Sequence, residues 1–334
     1  MSNILAKISL SVCLLAMPGM LFGKPKVDTI FTRDGVDVYI RKNRSKKLKM
    51  IAELRLADLE TSIMDPGRVS TGVNFDWFFK RYVSLNGGIK ATYYSVQQNL
   101  AEENNRSQNS LLPFIGASVG GRFHFIDGRG EVWKKVTLGV YDEFNEDGTP
   151  HTAIRYLRAK YPCRRIAAVR GGFFYYNAPV SADMNGDLLR PDVAGELNTE
   201  DGGKFKGSYY TNSYTQGFYV GYNRIRNINI RVSSNVDTFE GKSRHIAFYR
   251  EMYADLLYGN TRFDALTVGN KDYAIVPNAP GSFRTSGIGV RLGGRALATR
   301  SSTTLGAFYE LGMRPGLFIR GAYLSVGFTI SVLK

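Results

Sequence analysis

RVSTGVNFDWFFKRYVSLNGGIKATYY runs from Arg68 to Tyr94 and alternates in character from one residue to the next. Taken two residues at a time, Val69, Thr71, Val73, Phe75, Trp77 and Phe79 form one set. Arg68, Ser70, Gly72, Asn74, Asp76 and Lys80 form the other, with Phe78 out of step. Beyond Phe79-Lys80-Arg81-Tyr82 the rhythm resumes, with Val83, Leu85, Ile89, Ala91 and Tyr93 set against Ser84, Asn86, Gly88, Lys90 and Thr92. A period of two belongs to an extended strand, whose successive side chains point to opposite faces. Two long strands with one apolar and one polar face raise the question of what covers the apolar face.

The same rhythm predicts strands over Lys47–Ala57, Pro113–Ile126, Val132–Val140, Thr152–Lys160, Cys163–Tyr176, Tyr209–Tyr222, Arg226–Val236, Arg244–Leu257, Ile288–Ala298, Leu305–Leu311 and Ala322–Ile330. Asp58–Gly67 reads as a loop, Asp127-Gly128-Arg129-Gly130 as a tight turn, Asn145–Pro150 as another, and Tyr161-Pro162 as a hairpin bend where proline stops a strand. Segments as long as Pro113–Ile126 exceed the about 5–6 residues usual in globular sheets. Aromatics gather at strand ends, as in Trp77-Phe78-Phe79, Phe173-Phe174-Tyr175-Tyr176 and Tyr219 with Tyr222. Amphipathic rings prefer the depth of lipid headgroups. The opposite face is small and polar, which suits an enclosed interior better than a second packed layer. In hydrocarbon every backbone amide must find a partner, so a β solution has to close on itself. The expected fold is therefore all-β: a transmembrane antiparallel up-and-down β-barrel. It would have about 14 strands, with Arg262–Gly269 supplying the last, and 12 as the fallback, because single-chain bacterial barrels use even numbers. The competing expectation is a soluble β-sandwich, which alternates in the same way.

The chain has 334 residues, a net charge of +15 and a mean hydropathy of −0.20, with 36 Gly, 20 Tyr and 20 Phe. Residues 1–23 read as a cleaved signal peptide, with Lys7 before the apolar run Ile8–Phe22 and Gly23 at the cut. Residues 24–45 form a basic periplasmic lead-in with a short strand at Val36–Arg41, and 46–334 form the outer-membrane barrel. Removal of the signal leaves Cys163 without a cysteine partner, so no internal disulfide is expected. Short turns such as Phe79–Tyr82 belong on the periplasmic side, and the long loops Gln97–Ser110 and Asn177–Gly207 outside.

The successive alternating hairpins and the close GAFYELGMRPGLFIRGAYLSVGFTISVLK, Gly306 to Lys334, resemble the outer-membrane β-barrel proteins of Gram-negative bacteria, particularly those of Bacteroidota type. The resemblance is one of pattern over nearly the whole mature chain. Many such barrels end in an aromatic, whereas this chain ends Val332-Leu333-Lys334. What the resemblance implies is a location in the cell outer membrane, with lipid and lipopolysaccharide as surroundings and proteins of an envelope complex as partners.

Chemistry is sparse. The three histidines, His124, His151 and His245, include no His-x-x-x-His pair, and no Gly-x-Ser-x-Gly occurs. His124 and His245 are expected on inward faces and His151 on a loop. Asp183, Asn185 and Asp187 open like a calcium loop, but Leu188 stands where that loop needs glycine and Ala194 where it needs glutamate. No cofactor, zinc spacing, phosphate loop or nucleic-acid module is expected. The inward-facing charges are the best clue: Lys90, Arg122, Arg164, Arg170, Arg231, Arg291 and Arg295, with Asp76, Glu143, Glu251, Asp255 and Glu310. They could line an anion-preferring pore or lock the strands together as salt bridges. The expected function is accordingly that of a pore or passive transporter, or of the membrane-embedded part of an envelope assembly, and not of an enzyme. A lipid-modifying hydrolase using His124 or His245, or an adhesin using the 177–207 loop, are the alternatives.

Overall fold

The computed structural model describes residues 27–33, 36–42, 49–62, 65, 67–96, 98–99, 108–144, 148–183, 189–190, 208–234, 244–275, 285–300, 303–317 and 321–333. The signal segment, the calcium-like positions Asn185 and Asp187, and most of the 177–207 loop lie outside them. The long strands, in chain order, are β1 (Val27–Arg33), β2 (Val36–Lys42), β3 (Met50–Ser62), β4 (Arg68–Trp77), β5 (Val83–Ser95), β6 (Ile115–Phe144) and β7 (Pro150–Asp183). They continue with β8 (Ser208–Ser234), β9 (Arg244–Phe263), β10 (Ile288–Arg300), β11 (Thr303–Met313) and β12 (Ala322–Leu333).

From β3 to β12 each strand pairs antiparallel with the next, and β12 pairs back onto β3 through Tyr323↔Ser62 to Leu333↔Ile51. The sheet thus closes on itself as a ten-stranded up-and-down barrel. One end, the turn end, carries the connection at residues 78–82 and the first residues of β3. The other, the loop end, carries 108–114, 264–275, 285–287 and 314–317.

Three bends expected from sequence are not bends, and that accounts for three of the four strands by which the ring falls short of fourteen. Asp127–Gly130 lies inside unbroken β6, paired with Ile166 to Cys163. Neither Gly128 nor Gly130 has a positive φ; the true tip of this hairpin holds Gly148 at φ 79°. Gly130 is small because the Arg165 side chain lies across it, where a Cβ would come within 2.5 Å of Nε. Pro162 sits inside β7, just past Arg164, the last β7 residue that β8 pairs with there; at an edge its missing N–H costs no ladder bond. Residues 223–225 likewise run straight through β8. The candidate fourteenth strand supplies only Leu266–Val268, which belongs to a small sheet with Lys271–Ile275 and Leu189–Arg190. The loop expected from Asp58 is also strand, since β3 continues to Ser62.

The burial pattern is inverted relative to a sandwich. Val73, Phe75, Trp77, Leu85, Ile89, Val119, Phe123, Phe173, Phe218, Val220, Leu256, Leu292, Val326 and Phe328 point outward and are exposed. Ser70, Asp76, Ser84, Asn86, Thr92, Arg122, Glu251 and Ser325 point inward and are buried. A closed wall with apolar residues outside and polar ones inside is the arrangement hydrocarbon demands. Phe78, out of step in the sequence, turns inward to a buried position.

Aromatic rings laid over glycines tighten the wall. The Tyr219 hydroxyl lies over Gly120 and Gly172, Tyr253 over Gly293, and Phe308 over Gly327. A Cβ at Gly327 would meet the Phe308 ring at 2.6 Å and the Ala57 carbonyl at 2.2 Å. Gly327→Val is therefore expected to cost about 1–3 kcal/mol by overpacking, read as a lower urea midpoint of the refolded barrel.

Two features leave the ring at the turn end. Past Phe123, β6 has no partner in β5, and past Arg164, β7 has none in β8, so the two continue as a paired ribbon to residues 144 and 150. At about 3.3 Å per residue the ribbon beyond Arg164 reaches roughly 50 Å. The edge of β8 that β7 abandons is taken over by β2, with Val38↔Ser234 to Lys42↔Ile230, and β1 pairs onto β2.

Candidate functional site

Among the described residues, chemistry-bearing side chains converge in the lumen, and three layers fill it. The innermost residues at the turn end are apolar: Ile51, Phe78, Ile166, Ala168, Ile225, Tyr249 and Leu297 pack together, with Leu333 against them. They come from six different ring strands and the β4–β5 turn, each supplied by an inward position of its strand.

Above this plug lies a network of ion pairs. Arg295 bonds Glu251 and Glu53 at 2.7 Å each and also Asp76. Arg122 bonds Glu251 at 2.8 Å and Asp76. Tyr249 donates to Glu251 at 2.9 Å, and Asn223 donates to it as well. Next, Asp255 sits between Arg170 at 3.3 Å and Arg291 at 2.7 Å, and Glu310 accepts from Tyr253 at 2.5 Å and Tyr323 at 2.7 Å. Nearer the loop end, Glu60 is held by Lys90 at 2.9 Å, Arg68 at 3.0 Å and Arg314 at 2.6 Å. Asp58 takes Lys90 at 3.2 Å and Arg55 at 3.4 Å, and Asp65 takes Arg68 at 3.1 Å.

The pairs balance. Arg55, Arg68, Lys90, Arg122, Arg170, Arg291, Arg295 and Arg314 face Glu53, Asp58, Glu60, Asp65, Asp76, Glu251, Asp255 and Glu310, with as many acids as bases. The excess charge of the chain, +15 over its whole length, therefore resides outside these pairs.

The third layer is a loop turned into the mouth. Phe114 is 3 % exposed and lies under the guanidinium of Arg68 (4.2 Å to the ring centroid), that of Arg314 (5.1 Å) and the ammonium of Lys90 (5.4 Å). Tyr176 stacks beside it at 6.3 Å. Hydrogen bonds to its backbone, most of them from or to asparagine side chains, fasten this loop across the opening. Leu112 N donates to Asn212 Oδ1, Asn212 Nδ2 to Ser110 O, Asn177 Nδ2 to Pro113 O, and Gln108 N to Thr267 O. Between plug and loop the remaining cavities are about 110 Å³ and about 80 Å³, both lined by Arg55, Asn74, Arg291 and Glu310. With about 10–15 Å³ of such space needed per water, each has room for several water molecules among these polar side chains.

Of the charges singled out in the sequence, Lys90, Arg122, Arg170, Arg291, Arg295, Asp76, Glu251, Asp255 and Glu310 meet in this network. Arg164 does not: it lies at the foot of the ribbon, bonded twice to Asp127 at 2.8 Å. There burial alone would raise the Asp127 carboxyl, but the hydrogen bonds and charge of Arg164 outweigh it and hold the group below its ordinary value. Arg231 sits in β8 opposite Arg41 of β2, past the last β7 partner, and Glu143 sits on the ribbon; their side chains are outside the described residues, as are those of His151 and His245. Sequence reading missed Glu53, Arg55, Asp58, Glu60, Asp65, Arg68 and Arg314. The signal was present in part. Leu54 and Leu56 face out, and so does Leu59, because a register shift between Arg55 and Asp58 inverts the phase and carries Asp58 and Glu60 inward.

His124 is buried. Its Nε2 lies 2.9 Å from Ser84 Oγ and its Nδ1 2.9 Å from the Arg81 carbonyl. The carbonyl fixes the proton on Nδ1, so Nε2 accepts from the serine. A Ser–His pair of this kind has the polarity of a nucleophile and base. Ser84 is itself fully buried and Phe78 covers the ring at 6.2 Å, so the pair joins β5 to β6 with no approach for a substrate. Among the described residues no group of His, Cys, Asp and Glu has the arrangement of a metal site.

No family model matches the chain, and no curated protein matches it. Among solved structures it is similar to a chain described as OmpT (in-vitro folded), an outer membrane protein of Vibrio cholerae, with 10 % identity over 92 % of this chain and 100 % of that one, at a TM-score of 0.18.

Proposed function

We propose that this chain is an outer-membrane β-barrel that works as a membrane-embedded scaffold of an envelope assembly, its lumen sealed and not conducting. The observation that carries this reading is the filling of the lumen by an apolar plug, a charge-balanced network and the Phe114 loop in series. An anion-preferring pore needs an excess of cations along a wet path. Here every cation of the network has an acid beside it. The longer connections emerge at the loop end and the shorter ones at the turn end, which orients the turn end toward the periplasm. The ribbon of β6 and β7 then projects into the periplasm, where it is a natural contact for other envelope proteins. Planar-bilayer recording of the purified, refolded protein tests the sealed lumen: silence is expected, and a steady conductance would refute the scaffold. Excising residues 130–161, which removes the ribbon and leaves the ring strands intact, should preserve the compact, heat-modifiable barrel on a cold gel while abolishing migration of the native extract as a larger complex.

A further inference from the structure

The lumen neutralises itself, so the surplus of positive charge lies elsewhere, and part of it forms a row on the lipid side of the wall. In register, Arg165 of β7 lies opposite Arg226 of β8, and Arg226 lies opposite Arg250 of β9. Arg224, one step up β8 on the same face, lies between Ala167 and Met252. All four share the outward parity of Val169, Tyr222 and Met252, which are 48 %, 47 % and 46 % exposed, and of Val220 and Leu256 beyond them. Arg165, Arg224 and Arg250 are exposed and Arg226 half-buried. The row thus lies on the turn-end side of these exposed apolar residues, with Ile228 and Phe248 following it on the same face.

Like charges directly opposite one another in an antiparallel sheet repel. Among the described residues no acid answers this row. Arg165 reaches only the Glu131 carbonyl at 2.6 Å, and Arg250 only the Met252 sulfur at 3.8 Å. The neighbouring outward positions are Ala167, Gly128, Ala296 and Gly294, small residues that leave the guanidinium groups uncovered. Arginine stems lie along apolar surface while their heads seek polar surroundings, and the planar guanidinium fits phosphate oxygens two at a time.

We propose that Arg165, Arg226 and Arg250, with Arg224 above them, form a binding site for the phosphate of an anionic phospholipid in the leaflet at the turn end. The inference rests on the membrane-barrel reading above and adds the lipid class and the residues that select it. The belt directly above the row holds the acyl chains, so the phosphate arrives already tethered at the right depth. A single phosphate bridging neighbouring arginines relieves the repulsion that their register imposes.

The test is native mass spectrometry of the full-length protein from detergent micelles supplied with equal phosphatidylglycerol and phosphatidylethanolamine, beside a variant carrying Arg165→Gln, Arg226→Gln and Arg250→Gln. The wild type should retain phosphatidylglycerol preferentially. Loss of a basic residue near an anionic surface weakens attraction roughly fivefold, so the triple variant should bind phosphatidylglycerol weaker by on the order of 100-fold. Equal retention of the two lipids by the wild type, or unchanged retention by the variant, would overturn the proposal. So would displacement of the lipid by millimolar inorganic phosphate, which would make this a site for the free anion. The cold-gel migration of both proteins separates the failures: a compact barrel without lipid preference removes this site alone, whereas the absence of a compact form removes the barrel reading as well.

Discussion

Replacing Glu251 by leucine should lower the stability of the refolded barrel by about 3–5 kcal/mol, the cost typical of breaking a buried ion pair from one side. Glu251 is 2 % exposed and accepts from Arg122, Arg295, Tyr249 and Asn223. Its loss leaves two buried guanidinium groups sharing Asp76 and Glu53. Glu251→Gln keeps acceptor geometry on one oxygen and loses the charge, so it should fall between leucine and wild type. Changing Arg122 and Glu251 together, to Met and Leu, should cost less than the sum of the two single changes, because neither partner is then left uncompensated. Urea midpoints in detergent, with the cold gel shift as readout, compare the wild type with Glu251→Leu, Glu251→Gln, Arg122→Met and the double variant. A Glu251→Leu protein that unfolds with the wild type would show that the network does not hold the ring closed.

The closed wall was legible in the sequence wherever side-chain alternation ran unbroken. From Arg68 to Tyr94 the inward and outward sets are those read by eye, because lipid on one side and an enclosed interior on the other impose opposite chemistry on adjacent residues. The strand number was not legible, because glycine and proline carry two meanings. At Gly130 the residue makes room for the Arg165 side chain instead of a turn, and at Pro162 the missing N–H coincides with the parting of β7 from β8. Both depend on which strand is adjacent, information that is non-local. The same holds for the lumen. Arg122 and Arg295 announce themselves by parity, but that each sits against Glu251 and Asp76 follows from a register set across the whole ring. Phe114 follows Leu111-Leu112-Pro113, apolar like itself yet exposed at Leu112, so the sequence does not mark it as the buried one; the hydrogen bonds that fasten 108–114 to Asn177, Asn212 and Thr267 turn its ring into the mouth.

Because the three layers lie in series, removing any one of them should leave the protein electrically silent. Phe114→Ala takes away the ring beneath Arg68 and Arg314 and opens the loop end, yet the network and the plug remain below it. Phe78→Ala with Leu297→Ala thins the plug, but the ion pairs above still occupy the path. Replacing Glu53, Asp76, Arg122, Glu251 and Arg295 together by alanine removes the whole cluster, so none of its members is left buried without its partner. That variant empties the middle and still meets a hydrophobic constriction, which dries and blocks ions. Flow through resistances in series is set by the narrowest, so only the variant carrying all three sets of changes should conduct, in steps and with little ion preference. Folding is checked first by the cold gel shift, since a broken wall leaks without any gate. If Phe114→Ala alone, in a compact barrel, gave stable conductance, the lower layers would not be seals, and the chain would have to be read as a pore closed by its own loop.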